Sequence, residues 1–128
     1  QCRSTDGGRT WSRPEKIAEF SVTPQLIVLE NGAMVVGYGR PGVYLRTSAD
    51  SAKTWSDPFT VHGADETNLP EDKDKWFDVH RKRYSCANIS TVVTGPDRFL
   101  LVYSDFQHPH PEGGSCKAIL VREVVVEK

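Results

Sequence analysis

The chain has 128 residues, of which 38% are hydrophobic and 26% charged, and its formal net charge is −1. That length suffices for one ordinary domain with its own core. The near-zero charge lacks the basic surplus of a nucleic-acid binder, and no apolar run approaches the roughly 20 residues of a membrane-spanning helix. No signal-peptide pattern opens the sequence, as expected of a mature form or of a piece of a longer chain. The cysteines, Cys2, Cys86 and Cys116, are odd in number and lack metal-ligand spacing. Cys86 and Cys116 pair only if their strands meet, and buried free thiols are the plainer reading.

In chain order, the first feature is Ser4-Thr5-Asp6-Gly7-Gly8-Arg9-Thr10-Trp11. It returns 44 residues later as Ser48-Ala49-Asp50-Ser51-Ala52-Lys53-Thr54-Trp55, with Ser, Asp, Thr and Trp at the same offsets. A repeat at this period marks a supersecondary unit used more than once. Short hydroxyl and carboxylate side chains bond nearby amides and hold a turn. Glycine supplies the backbone conformation, and Trp packs its large surface between neighbouring hairpins. Asp6 and Asp50 therefore read as turn-makers. Ala52, standing where Gly8 does, is expected to need a slightly altered turn, at about 1 kcal/mol if φ is positive.

Strand signals follow with no convincing helical period. Ser12 to Phe20 reads as an outer strand after the first motif. Gln25 to Glu30 and Ala33 to Tyr38 flank the turn pair Asn31-Gly32. Gly42 to Thr47 alternates Val43 and Leu45 against Tyr44 and Arg46, and Asp57 to Val61 follows the second motif. Gly63 to Arg83 is an insertion with a mixed charge run, Glu71 to Lys75, and then Trp76-Phe77. A solvated surface loop is its plainer reading, and a binding-site wall the sharper one. Cys86 to Thr94, the turn Gly95-Pro96-Asp97, Arg98 to Ser104, a loop from Gln107 to Ser115, and Lys117 to Glu127 complete the chain.

The paired motifs resemble the Asp box, or BNR repeat, of sialidases (neuraminidases) and related β-propellers. The form is Ser-x-Asp-x-Gly-x-Thr-Trp, and the second copy departs only at Ala52. The resemblance implies an all-β fold of four-stranded antiparallel propeller blades. It divides the chain into the end of a blade with its Asp box (1–20), a complete blade with its Asp box (24–62), the insertion (63–83), and a last blade without an Asp box (84–128). These are about two and a half blades of a six-bladed propeller. They cannot close a ring, so the resemblance implies either further blades of a longer chain or a homo-oligomer. The apolar stretch Ile119 to Val126 looks like a closing strand at a C-terminus.

Sialidases use a tyrosine nucleophile, an activating glutamate, an acid/base aspartate and three arginines that clamp the sugar carboxylate. Arginine suits that clamp through its planar, permanently charged fork. By resemblance, Arg83-Tyr84-Ser85 makes Tyr84 the nucleophile candidate, and Arg40, eight residues before Ser48, a carboxylate-binding candidate. Trp76 is a candidate substrate contact. An ordinary strand tyrosine and a turn arginine in Arg40-Pro41-Gly42 are the plainer readings. The other catalytic groups of the family belong to blades this chain lacks.

Asp78, Asp105 and Glu112 are loop acids without a motif. His108 and His110 stand on one loop without a third ligand, so no metal site is expected. Asn88-Ile89-Ser90 fits a glycosylation sequon but falls in an expected buried strand. No cofactor is implied, and secretion or a periplasmic location follows only if the resemblance holds. The expected activity is exo-sialidase-type glycoside hydrolysis of sialylated or related glycans. The alternatives are a non-catalytic glycan- or protein-binding module and a self-assembling structural unit.

Overall fold

The computed structural model describes residues 1–19, 21–40, 42–63, 75 and 87–127. Its elements are strands: β1 (Val22–Val28), β2 (Met34–Gly39), β3 (Val43–Ser48), β4 (Phe59–His62), β5 (Ala87–Gly95), β6 (Arg98–Pro109) and β7 (Ser115–Val125). They form two antiparallel sheets in chain order, β1-β2-β3-β4 and β5-β6-β7. The all-β class is as the sequence predicts. The second sheet has three strands among the described residues, where four were expected of a blade, and Ser12–Glu19 forms no strand. β6 also runs to Pro109, into the region expected to be loop.

Period-two alternation decides what each sheet buries. In the first sheet, Val35, Val43 and Leu45 share the back face and are 1%, 0% and 3% exposed. In the second, Phe99, Leu101 and Tyr103 share the front face and are each 0% exposed. These two faces meet, with Ile89 between them, in a single core. Burying each large apolar side chain contributes about 1.5–3 kcal/mol. The turns join as well: Asn31 N–H donates to Pro96 O at 3.0 Å, and Val126 N–H to Asp97 O at 2.8 Å.

The two sheets share one cross-strand contact. Arg46 Nε donates to the Tyr38 hydroxyl at 3.4 Å, and Arg122 Nε to the Tyr103 hydroxyl at 3.0 Å. In both, the arginine faces the residue two before the tyrosine on the adjoining strand: Val36 opposite Arg46, Leu101 opposite Arg122. Tyr38 and Tyr103 are thus equivalent, and the front of the second sheet packs on the back of the first.

Residues 1–19 repeat the end of the first sheet's unit. The Gln1 and Glu15 backbones bond each other, Glu15 N–H to Gln1 O being 2.7 Å. This repeats, 44 residues earlier, the Leu45–Phe59 pairing of β3 with β4. The arm packs beside the first sheet: Arg3 Nη1 donates to Ser51 O at 2.8 Å, and Trp55 Nε1 to the Gln1 side chain at 2.9 Å.

Two expectations are corrected. Asn88 and Ser90 are exposed and only Ile89 of that triplet is buried, because a register irregularity between Ala87 and Ser90 puts Asn88 at φ +58°. Trp11 does not pack between hairpins as Trp55 does. It is 63% exposed, its indole N–H held by Gly8 O at 3.1 Å.

Candidate functional site

The two ends of the sheets do different work. At one end lie the β1–β2 turn and both Ser-x-Asp turns. In each turn the same bonds recur. Ser4 Oγ donates to Asp6 Oδ1 and Ser48 Oγ to Asp50 Oδ1, both at 2.8 Å. Asp6 Oδ1 accepts the N–H groups of Arg9 (3.0 Å) and Thr10 (2.9 Å), and Asp50 Oδ1 those of Lys53 (3.0 Å) and Thr54 (2.9 Å). The threonine hydroxyls donate to the second carboxylate oxygens at 2.6 and 2.7 Å.

These donors stabilise the ionised form. Asp6 is lowered to about 2, first through the Thr10 hydroxyl and then its N–H, and Asp50 is lowered further, first through the Thr54 N–H. Carboxylates committed in this way are structural groups. The altered turn expected at Ala52 is not found. Ser51 and Ala52 take φ +62° and +60°, much as Gly7 and Gly8 take +72° and +86°. The hydrogen bonds hold the turn against a left-handed penalty of order 1–2 kcal/mol per non-glycine residue. The match also runs further than the eight-residue motif. Ser12 and Ser56 bond back across their turns alike, N–H to Arg3 O (2.8 Å) and to Thr47 O (2.9 Å), and each precedes an X-Pro pair.

The opposite end carries the candidate site. The β2–β3 and β6–β7 loops lie there, and there β4 ends and β5 begins. Arg40 sits in the β2–β3 loop at φ +67°, half-buried, its N–H donating to Gly42 O at 2.7 Å. Gly42 is required at that position, since a Cβ would stand 2.1 Å from the His62 carbonyl oxygen. The Tyr38 and Tyr44 rings stack beneath the loop at 5.7 Å. A left-handed arginine is an uncommon conformation, and such strain persists only where the surroundings fix it.

Near this loop is a cluster that sequence reasoning set aside. Asp105, 4% exposed, has Oδ2 3.7 Å from His62 Nε2 and 3.4 Å from His108 Nδ1. Its Oδ1 accepts the Gln107 N–H at 2.9 Å. The His62 ring meets Tyr103 edge-on at 5.6 Å, so the cluster bridges the sheets. The alternation Phe99, Leu101, Tyr103, Asp105 was the available signal that Asp105 faces inward. His110, by contrast, serves its own turn, its Nδ1 accepting the Glu112 N–H at 3.2 Å.

Tyr84, Trp76, Asp78 and Cys86 lie outside the described residues, whereas Cys2 and Cys116 are free thiols, the first exposed and the second half-buried rather than buried as expected. Among the described residues no group of three His, Cys, Asp or Glu side chains is set to hold a metal ion, and no helix is long and apolar enough to cross a membrane. Grooves of about 390 and 430 Å³ flank the N-terminal arm, away from Arg40. No protein-family model matches the chain, and no curated protein matches it in sequence.

Proposed function

We propose that the chain is part of a sialidase-like β-propeller that acts on sialylated glycans, with Arg40 binding the sugar carboxylate. Two overlapping likenesses support the propeller reading: the arm and the four-stranded sheet share the Ser-x-Asp turn, and the four-stranded and three-stranded sheets share the Tyr–Arg bond. The observation that carries the site is the strained Arg40, held at φ +67° on the end opposite both Ser-x-Asp turns. The backbone sets the direction in which the Arg40 side chain leaves the loop, and a guanidinium grips a planar carboxylate with two parallel hydrogen bonds. Tyr84 is the proposed nucleophile, in an assembly whose other units supply the acid/base groups.

Saturation-transfer NMR with N-acetylneuraminate and with its methyl ester tests this reading. The acid should bind the wild-type chain better than the uncharged ester. Arg40→Gly should erase that preference while keeping the fold, gaining up to ~1 kcal/mol as the left-handed strain is relieved. Equal binding of acid and ester to the wild type, or a preference that survives Arg40→Gly, contradicts it.

A further inference from the structure

Two imidazoles share the single buried carboxylate of Asp105. Its Oδ2 faces His62 Nε2 at 3.7 Å, from the end of β4, and His108 Nδ1 at 3.4 Å, from its own strand. A ring nitrogen without its proton would turn a lone pair towards the carboxylate at that range, where little water screens the repulsion. The proton of each neutral ring therefore sits on the nitrogen that faces Asp105: Nε2 in His62 and Nδ1 in His108. A neutral imidazole has one donor and one acceptor, so His62 Nδ1 and His108 Nε2 are left as acceptors. Among the described residues neither of these nitrogens meets a hydrogen-bond partner, and the two side chains stay 26% and 42% exposed. His110 is the contrast. Its Nδ1 already accepts the Glu112 N–H, so its proton belongs on Nε2.

We propose that Asp105 is a positioning residue that fixes these two tautomers, and that His62 Nδ1 and His108 Nε2 accept hydroxyl hydrogens of the sugar held by Arg40. The inference rests on the reading of Arg40 as a sugar-binding residue and adds the contacts that select a polyol. An acid group needs donors, which a guanidinium supplies, whereas a hydroxyl donates only to an acceptor. The two kinds of partner lie side by side. The loop that carries Arg40 abuts His62, since Gly42 leaves no room for a Cβ against the His62 carbonyl oxygen, and Val43 pairs with His62 across β3 and β4. The edge contact with Tyr103 holds the His62 ring in place. Outward lone pairs over a buried carboxylate repel a second anionic group, so the pair favours neutral hydroxyls.

Long-range proton–nitrogen NMR of the histidine-labelled chain tests it, at about pH 8, where an ordinary imidazole is neutral. Single His→Gln variants assign the rings. His108 should show the Nδ1–H form, and His62 and His110 the Nε2–H form. Asp105→Asn should return His108 to the Nε2–H form that a free imidazole favours; if that variant misfolds, the wild-type tautomer of His108 decides alone. Saturation with N-acetylneuraminate should move the His62 Nδ1 and His108 Nε2 resonances. His108→Phe should weaken that binding roughly three- to tenfold, the range of one hydrogen bond, and leave the preference for acid over methyl ester intact. An Nε2–H form of His108 in the wild type, or ring nitrogens that stay unmoved while the acid is still preferred, overturns this proposal and spares Arg40. Ring nitrogens that move while acid and ester bind equally support it and contradict the Arg40 reading instead. No binding of either compound overturns both.

Discussion

The Ser-x-Asp turns put structural charge where it serves folding. Asp6 and Asp50 each accept two backbone N–H groups and two hydroxyls. Their ordinary value is 3.8, and folding lowers Asp6 to about 2 and Asp50 further. A carboxylate with a depressed folded value adds stability that is fully present above its unfolded value and is lost as pH falls through the folded one. The urea midpoint should thus hold from neutral pH to about 5 and drop between pH 4 and pH 2. Asp50→Asn should lower the midpoint at pH 7 and flatten the acid limb; an unchanged acid limb in that variant contradicts the assignment. The motif made these residues legible, because spacing alone specifies which amides the carboxylate reaches. Ala52 was less legible: the strain of a positive φ at a non-glycine residue points to a changed turn, whereas a sufficiently bonded turn imposes the glycine conformation on alanine. Asp105 was missed because no motif contains it, and its inward position emerges only with the register of β6.

At the scale of elements, alternation identified the strands and which of their residues face inward. Val43 and Leu45 were expected to alternate against Tyr44 and Arg46, and they do. Element ends shifted by a few residues, since strand boundaries depend on partners. β6 extends to Pro109 because Ser115 and Cys116 of β7 continue to face it. The second sheet's place in the series was hidden from the sequence because it lacks the motif. It is the Tyr38–Arg46 and Tyr103–Arg122 bonds, between residues far apart in one case, that make the equivalence visible. Phe99 anchors the joint between sheets, so Phe99→Ala should cost about 3–5 kcal/mol in urea unfolding. Val92→Ala on the open face should stay within about 0.5 kcal/mol. Equal costs at the two positions contradict the packing described.

At the scale of the whole molecule, the antiparallel order separates two ends. One is held by turns whose carboxylates are consumed in backbone bonding. The other presents Arg40, His62, Asp105 and His108 around the ends of both sheets, where the segment between β4 and β5 leaves and returns. The central claim is that the second end binds an acidic sugar. The most direct measurement is backbone-amide chemical-shift mapping during titration with N-acetylneuraminate. The account predicts shifts that saturate together at Arg40, Gly42, His62 and His108, with the amides of Thr10 and Thr54 unmoved. Saturable shifts confined to the Ser-x-Asp turns, or none at Arg40, would contradict it.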